Sequence, residues 1–306
     1  MSFCLRNRLT ALVFSLSLVF GATPGISQDH NLDQVEIETI PLRDGIYMLV
    51  GEGGNIGVSA GEDGVFMIDD QFAPLTEKIM VAISAITTEP IRFVINTHWH
   101  FDHTGGNENL GKAGVVIVAH DNVRERMSKE QFLQALGLNF EPSPAVALPV
   151  ITFNDRITFH LNGETIKAFH VSSAHTDGDS IIYFEEANVI HVGDTYFNGI
   201  YPFIDVESGG SINGMIAVVE GLLQKVDEDT LIIPGHGPLS NRQELLVYLN
   251  LLKTVRARVN AAISQGISME DFIASKPTAE FDANWGKGFL NPEKFLQIVY
   301  QDLARF

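Results

Sequence analysis

The chain has 306 residues, 45% of them hydrophobic and 19% charged, the balance of a packed globular protein and not of a disordered or low-complexity one. Its 38 acidic and 20 basic residues leave a net charge of −18, a surface that repels phosphate backbones, so nucleic-acid substrates and anionic membranes are disfavoured. One cysteine permits no internal disulfide, and stability has to come from core burial.

Residues 1–27 carry Arg6 and Arg8, then the apolar run from Leu9 to Phe20, then small residues through Gly25 and Ser27. This is the order of a secretory signal peptide, and the apolar run is short of the ~20 residues that span a bilayer. Cleavage near Ser27/Gln28 is expected to leave 28–306 as one exported domain, periplasmic or secreted, with no membrane association. It removes Cys4, Arg6 and Arg8 but no acid, so the net charge moves by two, from −18 to −20.

Branched, turn-bounded runs at Val35–Ile40, Gly45–Val50, Asn55–Ala60 and Gly64–Ile68 predict a β-meander. Helical spacing follows over Ala73–Ile86, then a strand at Ile91–Asn96 that runs into Thr97-His98-Trp99-His100. A strand at Val115–Ala119 and a polar helix from Asp121 to about Leu136 close the first half. Pro142, Pro144 and Pro149 mark 137–149 as an irregular connector. The second half repeats the scheme, with strands at Ile151–Phe153, Arg156–Leu161, Thr165–Val171, Ser180–Phe184, Val189–Val192 and Thr230–Ile233, and a helix from Ser211 to about Val226. Helical patterns cover Asn241–Gln265 and Asn291–Phe306. Two meanders trailed by helices predict two sheets packed face to face with helices outside.

Five of the ten histidines fall in glycine-flanked turns just after apolar strands, where a rigid element holds a side chain while the loop opens it. In His98-Trp99-His100-Phe101-Asp102-His103 three imidazoles and a carboxylate occupy six residues, the nitrogen and oxygen donors that zinc prefers. His175, Asp194 and His236 each end a strand or turn among small residues. His30, His120, His160, His170 and His191 read as structural. Trp99 and Phe101 read as loop packing, and Tyr196, Phe197, Tyr201, Pro202 and Phe203 as pocket wall or packing alike.

Asp69 after its strand, the His98–His103 cluster with Gly105-Gly106, His175, Asp194 and His236, in that order, resemble the metallo-β-lactamase superfamily from about Val35 to Ser240. The resemblance implies an α/β fold, the αββα sandwich, with metals at one edge of the sheets. It implies one metal on His98, His100 and His175, a second on Asp102, His103 and His236, Asp194 as the bridge, and Asp69 behind a ligand imidazole. It also implies two zinc ions, with iron or manganese as alternatives, that supply a bound hydroxide at neutral pH, with Asp102 orienting the attacking water on a small-molecule substrate.

The expected reaction is hydrolysis of a cyclic amide or ester, with a β-lactam as the first substrate. A lactonase, a thioesterase of the glyoxalase II type, an iron-dependent sulfur dioxygenase and a non-enzymatic zinc scaffold are the other readings. Retention of Asp194 and the lack of a cation in Thr195-Tyr196-Phe197-Asn198 depart from the β-lactamase pattern, whereas export and the histidine loop agree with it.

Overall fold

In the computed structural model, which describes residues 32–305, the chain opens with a meander of β1 (Glu38–Pro41), β2 (Ile46–Val50), β3 (Ile56–Gly61) and β4 (Gly64–Ile68). Next come α1 (Thr76–Ile86), β5 (Ile91–Ile95), α2 (Phe101–Thr104), α3 (Asn107–Lys112), β6 (Val116–His120) and α4 (Asp121–Met127). A small hairpin, β7 (Gln131–Leu133) with β8 (Leu138–Phe140), precedes β9 (Ile151–Phe153), β10 (Arg156–Leu161), β11 (Glu164–His170), β12 (Ser180–Phe184) and β13 (Val189–His191). The chain ends with α5 (Ile212–Leu223), β14 (Leu231–Ile233), α6 (Arg242–Ser264), α7 (Met269–Ala274), α8 (Ala279–Trp285) and α9 (Pro292–Leu303). The leader expected over residues 1–27, with Cys4, Arg6 and Arg8, and His30 lie outside the described residues.

One sheet has seven strands in the order β1-β2-β3-β4-β5-β6-β9, and the other has five, β10 to β14 in sequence order. The first is antiparallel as far as β4 and parallel from β4 through β5 and β6 to β9. In the second, only β13 and β14 run parallel.

The alternation of side chains along a strand explains the layers. Strand β4 is buried on both faces. Phe66 and Ile68 point into a core shared with Ile166, Ala168, Ile182, Phe184, Val189 and Ile233 of the other sheet. Val65 and Met67 point the other way, onto Ile79 and Ile83 of α1 and Leu110 of α3. On the far face of the second sheet Ile181, Ile190 and Ile232 meet Met215 and Val219 of α5, Leu245 and Leu252 of α6 and Phe295 and Val299 of α9. The result is the expected four-layer αββα sandwich. Each fully buried Ile, Leu or Phe in it is worth roughly 1.5–3 kcal/mol of burial.

Local signals set the helix starts. Ser211, Asn241 and Asn291 cap α5, α6 and α9 by accepting a backbone N–H of the first turn, and Pro292 enters α9 with its φ already helical. Three expectations are corrected. The helix predicted from Asp121 to about Leu136 stops at Met127, because the chain turns back at Gly137 (φ 68°) and pairs Gln131–Leu133 with Leu138–Phe140. That hairpin also replaces part of the irregular connector, the rest of which holds a short 3-10 turn at Ala145–Ala147. Ile151–Phe153, read as the first strand of the second half, joins the first sheet alongside β6, with Val150 N–H donating to Ile117 O at 2.9 Å. No described helix is long and apolar enough to cross a membrane.

Candidate metal centre

The chemistry-bearing residues gather where parallel strands end. Asp69 follows β4, His98 to His103 follow β5, His175 lies between β11 and β12, Asp194 follows β13 and His236 follows β14. Parallel neighbours end on the same side, which is why segments far apart in sequence meet at one edge of the sandwich.

His98, His100, His175 and Asp194 form one group of potential ligands, and Asp102, His103 and His236 form another. The turn after β5 divides its own residues as adjacent positions diverge, His98 and His100 to the first group, Asp102 and His103 to the second. Asp194 lies between the groups. Its Oδ2 is 3.5 Å from Nε2 of both His175 and His236, and its Oδ1 is 3.1 Å from His103 Nε2.

In the first group each imidazole is oriented by its outer nitrogen. His175 Nδ1 lies 2.8 Å from Phe203 O, an atom that can only accept. His100 Nε2 lies 3.0 Å from Asp205 Oδ2. His98 Nδ1 lies 3.0 Å from Thr97 Oγ1, whose own proton goes to Asp69 Oδ2 at 2.7 Å. Each outer nitrogen therefore carries the proton, and in the neutral rings the inner nitrogens are bare lone pairs.

Those lone pairs converge, with His100 Nδ1 3.1 Å from His98 Nε2 and 2.8 Å from His175 Nε2. Burial, opposed for His175 by the Asp194 charge, holds His98 well below the usual histidine range and His175 at about 4, so these two stay neutral. The His98 and His175 lone pairs and His100 Nδ1 thus face one point where a cation would be held by all three nitrogens. The donor set fits a metal ion such as zinc.

The second group asks for positive charge in another way. Burial alone would keep its imidazoles neutral, yet Asp194 and Asp102 outweigh it, raising His103 far above its ordinary value and His236 to about 9. Burial likewise opposes ionisation of Asp102 and Asp194. The neighbouring histidines overcome it, taking Asp102 to about 2 and Asp194 well below the carboxylate range. Behind this group Asp69 Oδ2 accepts from His103 Nδ1 at 2.8 Å, the role the resemblance implies.

Two glycines allow this packing. A Cβ on Gly54 would stand 2.1 Å from the His103 ring, and one on Gly235 would stand 2.0 Å from Asp194 Oδ1. Asn55 fixes the meander to the β14 loop by donating from Nδ2 to Pro234 O and Gly237 O at 2.9 and 2.8 Å.

Sequence reasoning missed Asp205 and Asp179. Asp205 lies in a loop that drew notice only for its aromatic residues. Asp179 takes the backbone N–H of His175 and Thr176 on Oδ2 at 2.7 and 2.9 Å, fixing the His175 turn from within. Its place four residues after His175 was the available signal. Trp99, Tyr196, Phe197 and Tyr201 are buried, so packing is their role, and the Phe203 ring lies 5.7 Å from those of both His100 and His175. His191 is structural, its Nε2 donating to Asn55 O at 2.9 Å. His120 stacks on His170 at 3.8 Å.

Comparison with known proteins places this geometry. The sequence model of the Metallo-beta-lactamase superfamily matches residues 49–236, and the chain belongs to that superfamily of metal-binding hydrolases. A hydroxyacylglutathione hydrolase from Polaromonas sp. is 26% identical over 169 residues, 55% of this chain and 57% of that enzyme, so the chain spans little more than half the length of that relative. A metallo-beta-lactamase type 2 from Bacillus cereus is 20% identical over 191 residues, 62% of this chain and 69% of its own. The solved metallo-beta-lactamase from Pontibacter korlensis superposes with a TM-score of 0.59 at 18% identity, covering 71% of this chain and 99% of that one. At that identity the likeness is one of fold.

Proposed function

We propose that the chain is an exported, dinuclear zinc hydrolase that opens a cyclic amide or ester, with a β-lactam as the first substrate to try. The observation that carries the metal reading is the convergence of the His98, His100 and His175 ring nitrogens beside a second group formed by Asp102, His103 and His236. His98, His100 and His175 would hold one zinc, Asp102, His103 and His236 the other, and Asp194 would touch both. Bound there, the two ions supply Lewis acidity and bring the pKa of water toward neutrality.

The residues themselves set the direction of approach. Asp102 and His236 keep side-chain exposures of 21% and 16%, whereas His98, His103 and His175 are buried, so substrate and water arrive on the Asp102–His236 side. Asp102, kept ionised, accepts a hydrogen bond from the attacking water and so orients its oxygen at the carbonyl carbon. The water O–C bond forms, the ring C–N or C–O bond breaks, and the proton passes to the leaving nitrogen or oxygen. Phe203, against His100 and His175, shields the inner imidazoles from bulk water.

A thioesterase of the glyoxalase II type is the second reading, favoured by retention of Asp194 and by the 26% identity to a hydroxyacylglutathione hydrolase. An iron-dependent sulfur dioxygenase would use the same donors. The test is turnover of a chromogenic cephalosporin, a lactone and a thioester by the zinc-loaded chain, with chelator and His100→Ala controls. Chelator-sensitive cephalosporin cleavage supports the β-lactam reading. Cleavage of only the lactone or the thioester moves the substrate and keeps the hydrolase, and inactivity on all three with bound iron overturns both.

A further inference from the structure

The family match ends at residue 236, yet the outer partners of two of the three inner imidazoles lie in a loop that the later helices hold. Phe203 O takes the His175 proton, Asp205 Oδ2 takes the His100 proton, and Asp205 N–H donates to His175 O at 3.0 Å. Both partners thus sit within three residues of one another, on a stretch without regular strand or long helix.

Each end of that stretch is tied to the C-terminal helices. At the near end Tyr201 OH donates to Asp282 Oδ1 of α8 at 2.7 Å, its N–H to Trp285 O at 2.9 Å, and its ring stacks on Phe295 of α9 at 4.6 Å. At the far end Asp302, the second-last residue of α9, reaches the start of α5. Its Oδ2 accepts from Ile212 N–H at 2.8 Å and from Ser211 Oγ at 3.2 Å. A carboxylate there meets the unpaired N–H groups and the positive end of the α5 dipole, and Asp302 is only 3% exposed. Arg305 adds a bond to Val206 O at 3.1 Å and pairs with Glu207. Ser211 N–H in turn donates to Ala174 O, next to His175, at 2.8 Å.

We infer that α8 and α9 form a brace for the three-imidazole group, with Tyr201 and Asp302 as its positioning residues. They touch neither metal nor substrate. They fix Phe203 and Asp205, which fix the rings of His175 and His100. The Asp102–His103–His236 group is oriented instead by Asp69 and the Gly54 and Gly235 turns, none of which contacts the C-terminal helices through the bonds above, so the brace acts on one group and not the other. This inference rests on the two-metal reading.

The test is zinc binding to the full chain by competition with a chromophoric chelator, in the native protein, Tyr201→Phe, Asp302→Asn and Asp302→Ala, with folding followed by circular dichroism. His175→Ala serves as the reference that identifies the equivalent held by the three imidazoles. The brace predicts that this equivalent weakens by more than about threefold in Asp302→Ala, less than the ~10–100-fold that loss of a direct partner of a ligand costs, while the other stays within about twofold. Asp302→Asn, which keeps one acceptor for Ile212 N–H, recovers part of the loss. Tyr201→Phe removes a single hydroxyl, so the fold persists if Asp302→Ala proves unstable, and it weakens the same equivalent. Native affinity for both equivalents in Tyr201→Phe and Asp302→Ala, or parallel weakening of both, overturns the brace. A native chain that binds no zinc overturns the two-metal reading itself.

Discussion

Asp69 shows what the ligand edge demands of single residues. Its φ of 62° lies in the left-handed region, where a residue with a Cβ is strained by about 1–2 kcal/mol. Against that cost its carboxylate accepts Thr97 N–H, Thr97 Oγ1 and His103 Nδ1 at 2.7, 2.7 and 2.8 Å. Asn tolerates the same backbone, so Asp69→Asn removes the charge without adding strain. Its predicted effect is a fall of about 10–100-fold in zinc affinity, read by chelator competition, with little change in the circular dichroism spectrum. Gly235→Ala acts by volume, because the new Cβ would lie 2.0 Å from Asp194 Oδ1 and 2.6 Å from the Gly193 carbonyl carbon. It is expected to lose bound zinc and turnover together, and retention of both would show that the β14 turn relaxes. The histidines and aspartates that gather at this edge were readable as a cluster, since His98 to His103 follow an apolar strand and His175, Asp194 and His236 end strands or turns amid small residues. Asp205 was not, because its partner His100 lies 105 positions away and no spacing connects them.

At the scale of elements, α5 and the β10–β11 turn give tests away from the site. Gly221 lies inside α5 with open space where a Cβ would go, so Gly221→Ala should raise unfolding stability by about 0.5–1 kcal/mol. Glu164 begins β11 at 5% exposure, and burial, with the neighbouring Glu186 carboxyl, lifts it to about 7. Its neutral form is the one the fold favours. That contribution is complete below the ordinary glutamate value of 4.5 and is lost as pH rises through about 7. Denaturant midpoints should therefore fall across that window in the native chain and flatten there in Glu164→Gln. An unchanged slope in the variant would contradict the assignment. Most strands were legible from branched residues bounded by turns. The β7–β8 hairpin was not, since its three-residue strands lack an alternating face, and β9 shows that periodicity identifies a strand without saying which sheet it joins.

For the whole molecule, the two sheets share one core that sets the distance between β5 and β13, and so between His98 and Asp194. Ile182 lies fully buried in it. Ile182→Ala should cost about 2–5 kcal/mol in unfolding free energy, with zinc affinity falling only as the folded fraction falls. The acidic net charge of −18 acts at this scale too, disfavouring polyanions such as nucleic acid. The sandwich was legible because two meanders trailed by amphipathic helices admit few layered arrangements. The support that the C-terminal helices give to Phe203 and Asp205 was not, since it depends on side chains such as Asp302 whose partners are set only by packing. The central claim is that seven side chains from four strand ends hold two metal ions, and the most direct measurement is the metal-to-protein ratio of the zinc-equilibrated chain beside that of His175→Ala. The account predicts two per native chain and one in the variant. A native ratio of one or none, or a ratio unchanged by the substitution, would contradict it.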